Sequence, residues 1–380
     1  MLGQLALPCS VTTRHNPSKL GFCSRCSIAS PLAPSPYAMH RFPLIIVTIM
    51  LVLLPTACIS SDGFDDTRRD NFEALWHVID RHYCFFEYKE QAYGLDWDEV
   101  YRRYSPQVDE KMSDDALFQV LSRMTYELRD GHVNLAWAGN TAYFTQWYDA
   151  FPENFSDSIL RSYLGCNEDY RSTAGLKYRV LKGNIGYVRC PSFANGIGDG
   201  NLHEMMQYLA SCDGLVIDVR NNGGGMLTSA QALAGILVNE PTVMGYMMHK
   251  TGPGHNDFSS PQPIRISPAT GLRWQKRVAV LTNRRTYSAA NAFVMFAKAS
   301  ENVTVIGDRT GGGSGMPFSS ELPRGWSVRF SACPMTDISG KHTEFGIEPD
   351  IHVDISSDDY QRSIDTILET ALEFLEGETE

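Results

Sequence analysis

From Asp70 to Leu128 the apolar positions recur at helical spacing. Phe72, Leu75, Trp76, Ile79 and Tyr83 form one stripe, and Leu117, Leu121, Met124 and Leu128 form another. Between them, Asp96 and Glu99 make a capping pair that predicts a short helix through Tyr101. These stripes read as core packing, so residues 70–134 are expected to form a small helical bundle. From Ala136 to Leu181 the periodicity fades. Trp147, Tyr148, Phe151, Phe155 and Tyr163 lie scattered among polar neighbours, and residues 135–183 read as a connecting segment. The pattern then changes to short apolar runs alternating with helical ones. NIGYVRCPSF, GLVIDV, RVAVLT and VTVIG read as strands, and MLTSAQALAGIL and SAANAFVMFAKAS as helices. That alternation implies an α/β core over residues 184–380. From Asp359 to Glu376, the residues Ile364, Ile367, Leu368, Ala371, Leu372 and Leu375 share one face and predict a terminal docking helix.

Composition narrows the class. The 380 residues are 43% apolar and 20% charged, with 31 Gly and 19 Pro, which fits a folded chain with a sizeable core. The formal charge of -11, without a stripe of Lys and Arg, argues against nucleic acid as a partner. Arg14, Lys19, Arg25 and Arg41 are the only ionised side chains ahead of Cys58. Met39-His40-Arg41 and the apolar run of residues 42–57 have the form of a signal peptide, with Met39 as the expected start and residues 1–57 as leader. The run is short for a spanning helix, which needs roughly twenty apolar residues. Its end resembles a bacterial lipobox, although Pro55 stands where Leu is usual, so Cys58 is the expected lipidation site. In residues 58–69 Cys58 is followed by ISSDGFDD, a polar, acidic tether resembling the post-cysteine signals of some surface-exposed lipoproteins. These features place the protein in a bacterial cell envelope, on the outer membrane, in the periplasm or at the surface, with the membrane as a partner through the lipid anchor.

Beyond the leader and Cys58, the cysteines are Cys84, Cys166, Cys190, Cys212 and Cys333, which lack metal-like pairing and read mostly as buried thiols. Cys23 and Cys26 form a single CxxC inside the leader, and a zinc site would need a second ligand pair. Neither a metal nor another cofactor is implied.

Four segments could carry chemistry. LTNRRTYSAANAF sets Ser288 between an apolar strand and an Ala-rich helix, at a turn near exposed backbone N–H groups. Alone, this reads as an ordinary helix cap. GLVIDVRNNGGGMLTSA runs a buried strand into three glycines, where N–H groups around Gly224 and Gly225 could face a developing oxyanion. The structural alternative is a tight strand-to-helix turn, and the phosphate-loop pattern GxxxxGK[ST] is absent. ELRDGHVNL carries His132 on a glycine-containing turn, and a neutral imidazole is the usual acceptor of a serine proton. His342, His249 and His255 compete for that role. GKHTEFGIEPDIHVD offers Glu344, Glu348 and Asp350 as carboxylates that could orient an imidazole.

Taken in order, DGHVNL, NIGYVR, GLVIDVRNNGGG, TYSAANAF, TGGGSG and FGIEPDIHVD resemble the C-terminal-processing, or tail-specific, serine peptidases of family S41 and their tricorn-core relatives, over roughly Phe72 to Val353. The resemblance implies a ClpP/crotonase-like spiral core behind the helical bundle, with Ser288 as nucleophile and the N–H groups of Gly224 and Ala289 as oxyanion hole. One branch of the family activates its serine with a lysine about 25 residues later. Here that loop, Thr310 to Gly315, reads TGGGSG and contains no lysine. The tricorn-like branch uses a histidine matching His132, backed by a serine just before it and a glutamate matching Glu344. Gly131 replaces that serine, so Glu344 is expected to act directly, through water or through another hydroxyl, with Asp130 as the other candidate orienter. Residues 133–186 are too few for the PDZ domain that many relatives insert, which needs on the order of eighty residues.

The expectation is therefore a cell-envelope serine peptidase acting on peptide or protein substrates through an acyl-enzyme. The alternatives are an apolar-ligand-binding protein on the same fold, or an esterase or acyltransferase using the same serine.

Overall fold

A computed structural model describes residues 63–377. The leader, Cys58 and the start of the tether lie outside the described residues. Among the described residues, no helix is long and apolar enough to cross a membrane.

The chain opens with helices α1 (Arg68–His82), α2 (Phe86–Tyr93), α3 (Trp97–Tyr104) and α4 (Asp114–Tyr126). Thr67, Asp96 and Ser113 cap α1, α3 and α4 by accepting backbone N–H groups in the first turn. The cap at Asp96 accepts from Glu99 at 2.9 Å. The sequence pattern gave no sign of α2, a helix whose apolar and polar residues are poorly segregated.

Strands β1 (Asn134–Trp137) and β2 (Asn140–Tyr143), the short helices α5 (Gln146–Asp149) and α6 (Asp157–Leu164), and strands β3 (Arg171–Thr173) and β4 (Leu176–Leu181) follow. The remainder alternates: β5 (Ile185–Arg189), α7 (Asp199–Leu209), β6 (Gly214–Asp218), α8 (Leu227–Ala234), β7 (Thr242–Met247), β8 (Gln262–Ile266), β9 (Val278–Thr282), α9 (Ala289–Lys298) and β10 (Val303–Gly307). Strands β11 (Gly315–Leu322), β12 (Trp326–Thr336) and β13 (Ile351–His352), then α10 (Ser357–Gln361) and α11 (Thr366–Glu376), complete it.

Two sheets organise the molecule. The seven-stranded sheet runs β13-β10-β9-β6-β5-β4-β3, with β13 through β5 parallel and the β4 and β3 edge antiparallel. Its central strands β6 and β9 are apolar up to Asp218 and Thr282 at their C-terminal ends, because both faces are covered. Leu215, Ile217, Val278 and Val280 face α7, α8 and α9, whereas Val216, Ala279 and Leu281 face α6 and α11. The six-stranded sheet runs β2-β1-β12-β7-β8, with β11 also paired to β12. Phe72, Leu75 and Leu121 of the bundle share one core with Trp326, Val328 and Phe330 of β12. Each such side chain buried stabilises the fold by roughly 1.5–3 kcal/mol. The bundle is thus closed by a strand that lies more than two hundred residues later in the chain.

The segment 135–183 supplies strands to both sheets, β1 and β2 to one and β3 and β4 to the other. The expected single C-terminal helix is two helices. Ser363 adopts φ 58°, and Asp365 caps α11 by accepting the Leu368 N–H at 3.1 Å. Ile364 therefore lies in the joint and not on the docking face. Cys84, Cys190, Cys212 and Cys333 are buried and free, and Cys166 is free and exposed.

Candidate active site

Parallel strands β6 and β9 are neighbours, so the turns that leave their C-terminal ends meet, as at ligand sites of other open α/β sheets. Asn283, after β9, accepts the Asn221 N–H at 2.9 Å and donates to the Asn221 side chain at 2.7 Å. Tyr287 N–H donates to Asn222 O, and Ser288 N–H to Gly312 O, both at 2.9 Å. Three loops thereby fix the main chain of residue 288. Ser288 takes φ 58° and ψ -122°, a strained geometry for a non-glycine residue, and α9 begins at the next residue.

Ser288 Oγ lies 2.9 Å from His132 Nε2. The two residues are 156 positions apart in sequence and arrive on different sheets. His132 sits in the turn between α4 and β1, and its backbone N–H donates to Asp130 Oδ1 at 2.7 Å. The competing histidines are engaged elsewhere. His249 Nδ1 meets Cys333 Sγ at 3.3 Å, His255 Nε2 meets Asp80 at 2.8 Å, and the His342 ring packs against Phe85 and Tyr88.

Glu344 is buried close by but does not touch the imidazole. Its Oε2 accepts the Ser314 N–H at 3.0 Å, and its Oε1 lies 3.2 Å from Lys89 Nζ. Asp130 does not reach the ring either. Besides the His132 amide, it accepts hydrogen bonds from Tyr83 at 2.9 Å and Ser331 at 2.8 Å. His132 Nδ1 is buried without a hydrogen-bond partner, as is the Tyr287 hydroxyl, and the two rings are 4.9 Å apart between centroids. Of the routes open to Glu344 and Asp130, direct contact with the imidazole is not made by either carboxylate. A fully buried lysine, overlooked in the sequence, holds both acids.

At Gly131 the structure gives a reason for the missing side chain. A Cβ there would sit 2.7 Å from Trp147 Nε1 and 2.8 Å from the Tyr287 hydroxyl. The Trp147 and Tyr287 rings stack at 4.1 Å and fill that space. They also line a cavity of about 450 Å³ together with Tyr93, Phe144, Phe151 and Arg284.

The glycine turn closes on the serine. Gly224 has φ 98°, and a Cβ on it would meet Ser288 Cβ at 2.8 Å and the Ala289 nitrogen at 2.9 Å, so only glycine fits. Its own N–H donates to Asn222 Oδ1 at 2.9 Å. Of the two donors expected for the oxyanion hole, Gly224 is thus turned to Asn222, while Ala289 stands at the first position of α9.

Electrostatics divide the buried groups. Burial lowers the His132 pKa to about 4; Asp130 opposes that shift, and Arg329 and Lys89 reinforce it. Burial and the Asp130 charge push Glu344 up to about 8, against the pull of Lys89. Asp130 ends below the ordinary carboxylate range, because Lys89, His132 and its hydrogen-bond donors outweigh the effect of burial. Among the described residues, no cluster of His, Cys, Asp and Glu has the arrangement of a metal site.

Residues 184–353 match the model of Peptidase family S41, and residues 64–125 match that of the Tricorn protease C1 domain. The chain is 30% identical over 195 residues to a candidate tricorn-like protease C-terminal subunit of Sulfurisphaera tokodaii, covering 50% of this chain and 21% of that one. It is 27% identical over 186 residues to the chloroplastic C-terminal processing peptidase of Tetradesmus obliquus, covering 48% of this chain and 38% of that one. It therefore spans well under half the length of these curated relatives. The crystal structure of a candidate peptidase from Parabacteroides merdae is 46% identical, with a TM-score of 0.77 over 82% of this chain and 97% of that one. Mature CPAF shares the fold at 15% identity, with a TM-score of 0.62 over 82% of this chain and 96% of that one. With the matched catalytic segment, the matched N-terminal helices and a near-complete structural relative all in agreement, the chain belongs to peptidase family S41.

Proposed function

We propose that the protein is a cell-envelope serine peptidase that cleaves peptide bonds through an acyl-enzyme on Ser288, with His132 as general base. The observation that carries this reading is the 2.9 Å contact between His132 Nε2 and Ser288 Oγ at the start of α9. His132 Nε2 takes the hydroxyl proton as Ser288 Oγ attacks the scissile carbonyl, then returns it to the leaving amine. Water repeats the sequence to release the acid. The oxyanion faces the N-terminus of α9, where the Ala289 N–H and the helix dipole favour negative charge. Gly224 becomes a second donor when Asn222 releases its N–H, and one such donor contributes about 3 to 4 kcal/mol to the transition state. Glu344 and Asp130 act on the base through Lys89 and the turn. The envelope location rests on the leader and Cys58.

A fluorophosphonate probe tests the reading. Labelling is expected at Ser288, together with cleavage of peptides in a mixed panel. Folded protein that resists the probe would favour a ligand-binding role, and ester turnover without peptide cleavage would favour an esterase or acyltransferase.

The labelling rate also has an expected pH dependence. The neutral imidazole is the active form, and burial disfavours its protonated state. The rate is expected to hold through mildly acidic pH and fall with a midpoint near 4, well below the unperturbed histidine value of about 6.5. A midpoint at the unperturbed value, with the fold intact by circular dichroism, would contradict the assignment of His132.

A further inference from the structure

Lys89 projects from α2 into the interior and is fully buried. An ammonium there loses its hydration, and an apolar residue on a core helix would not. Its three N–H donors are matched by three acceptors: Leu128 O at 2.7 Å, Arg129 O at 3.2 Å and Glu344 Oε1 at 3.2 Å. Asp130 Oδ2 lies 3.8 Å away. The rings of Tyr83, Phe85 and Phe345 surround the charge at 5.6, 5.9 and 5.5 Å.

These partners belong to opposite halves of the site. Leu128, Arg129 and Asp130 form the turn that delivers His132, and Arg129 within it holds a strained φ of 44°. Glu344 belongs to the segment that supports the nucleophile: its main-chain oxygen accepts the Gly313 N–H at 3.0 Å, and Gly312 O accepts the Ser288 N–H. Resting on the peptidase reading above, we propose that Lys89 is a positioning residue for hydrolysis: its ammonium pins the turn bearing His132 to the Glu344 segment behind Ser288, holding imidazole and hydroxyl in register. It touches neither reacting atom. Its effect passes through the turn and through the charge it sets beside the imidazole.

The full mature chain and its Lys89→Met variant, labelled with a fluorophosphonate over a range of probe concentrations, test this. The limiting labelling rate is expected to fall about 30- to 100-fold in the variant, a loss typical of a misaligned general base. The half-saturating probe concentration is expected to stay within about threefold, because Lys89 does not line the probe site. The acid midpoint of the rate is expected to rise, since a cation that disfavours the imidazolium has been removed. Lys89→Met/Glu344→Gln removes the ammonium together with its carboxylate partner, and so separates positioning from buried charge balance. The double variant is expected to fold, by circular dichroism and thermal melting, and to remain slow. Near-wild-type labelling by the double variant, or an unshifted acid midpoint with full labelling in Lys89→Met, would overturn the proposal. Failure of the wild-type chain to label would instead overturn the peptidase reading on which it rests.

Discussion

Ser288→Ala is expected to abolish peptide cleavage, with a loss on the order of 10⁴-fold or more, while leaving the fold intact. The main chain at residue 288 is held without help from the side chain. Its N–H is bonded to Gly312 O, its carbonyl accepts the Ala292 N–H at 2.9 Å, and Tyr287 is tied to Asn222. The hydroxyl makes one side-chain contact, to His132 Nε2. Deleting it removes the proposed nucleophile and one hydrogen bond of about 1 kcal/mol, so the melting temperature should move by a few degrees at most. His132→Ala is expected to lose activity to a similar extent. On the proposed mechanism the two groups share one proton transfer, so the double variant should be little worse than either single variant. Steady-state cleavage by the purified variants, with melting curves alongside, checks this. Cleavage within tenfold of the wild-type rate by Ser288→Ala would remove the serine from the reaction.

How far the site could be read from the sequence follows from how local each contact is. Ser288, Gly224 and His132 were visible because each sits in a turn whose residues mark it: a strand end, a run of glycines, an Asp-Gly pair. Their convergence is tertiary. It appeared in the sequence only as the order of motifs shared with a family. Lys89 had no such mark, since it lies on a short helix among aromatic residues without clear segregation of its faces, and a lone lysine there reads as surface charge. Only the packing of α2 under the His132 turn makes it interior. The same limit hid the contacts of Glu344. Its residue type and region were legible, but its partner is Lys89 and the Ser314 amide, not the imidazole. The strands of 135–183 were illegible because they are three to six residues long and lie at or near sheet edges, where little alternation is imposed. By contrast β6 and β9, covered on both faces, announced themselves as continuous apolar runs.

Arg220→Met is expected to destabilise the fold by about 3–5 kcal/mol, the usual cost of removing one partner from a buried ion pair. Arg220 is fully buried between two carboxylates. Its Nε and one terminal nitrogen donate to Asp218 at 3.1 and 2.7 Å, and its terminal nitrogens donate to Asp365 at 2.9 and 2.8 Å. The planar fork thus joins the end of β6 to the cap of α11, a geometry that Lys could not reproduce. Methionine fills comparable volume but leaves both acids without that cation, and Arg189, 3.8 Å from Asp218, compensates only in part. The loss should depend on pH in a defined direction. Burial raises the Asp218 pKa, but Arg220 and Arg189 outweigh it, so the native acid lies below the ordinary range. That contribution is present above the unfolded carboxylate pKa of about 3.9 and fades as pH falls through the native value. In the variant, burial dominates and Asp218 titrates higher, so the deficit should be largest at neutral pH and shrink toward pH ~4. Urea unfolding at several pH values, with the slope unchanged, measures it. Arg220 also opens the Asn221–Gly225 turn against Ser288, so the variant should label more slowly even where it is folded. Full stability together with a wild-type labelling rate would show that the buried pair supports neither the helix cap nor the turn.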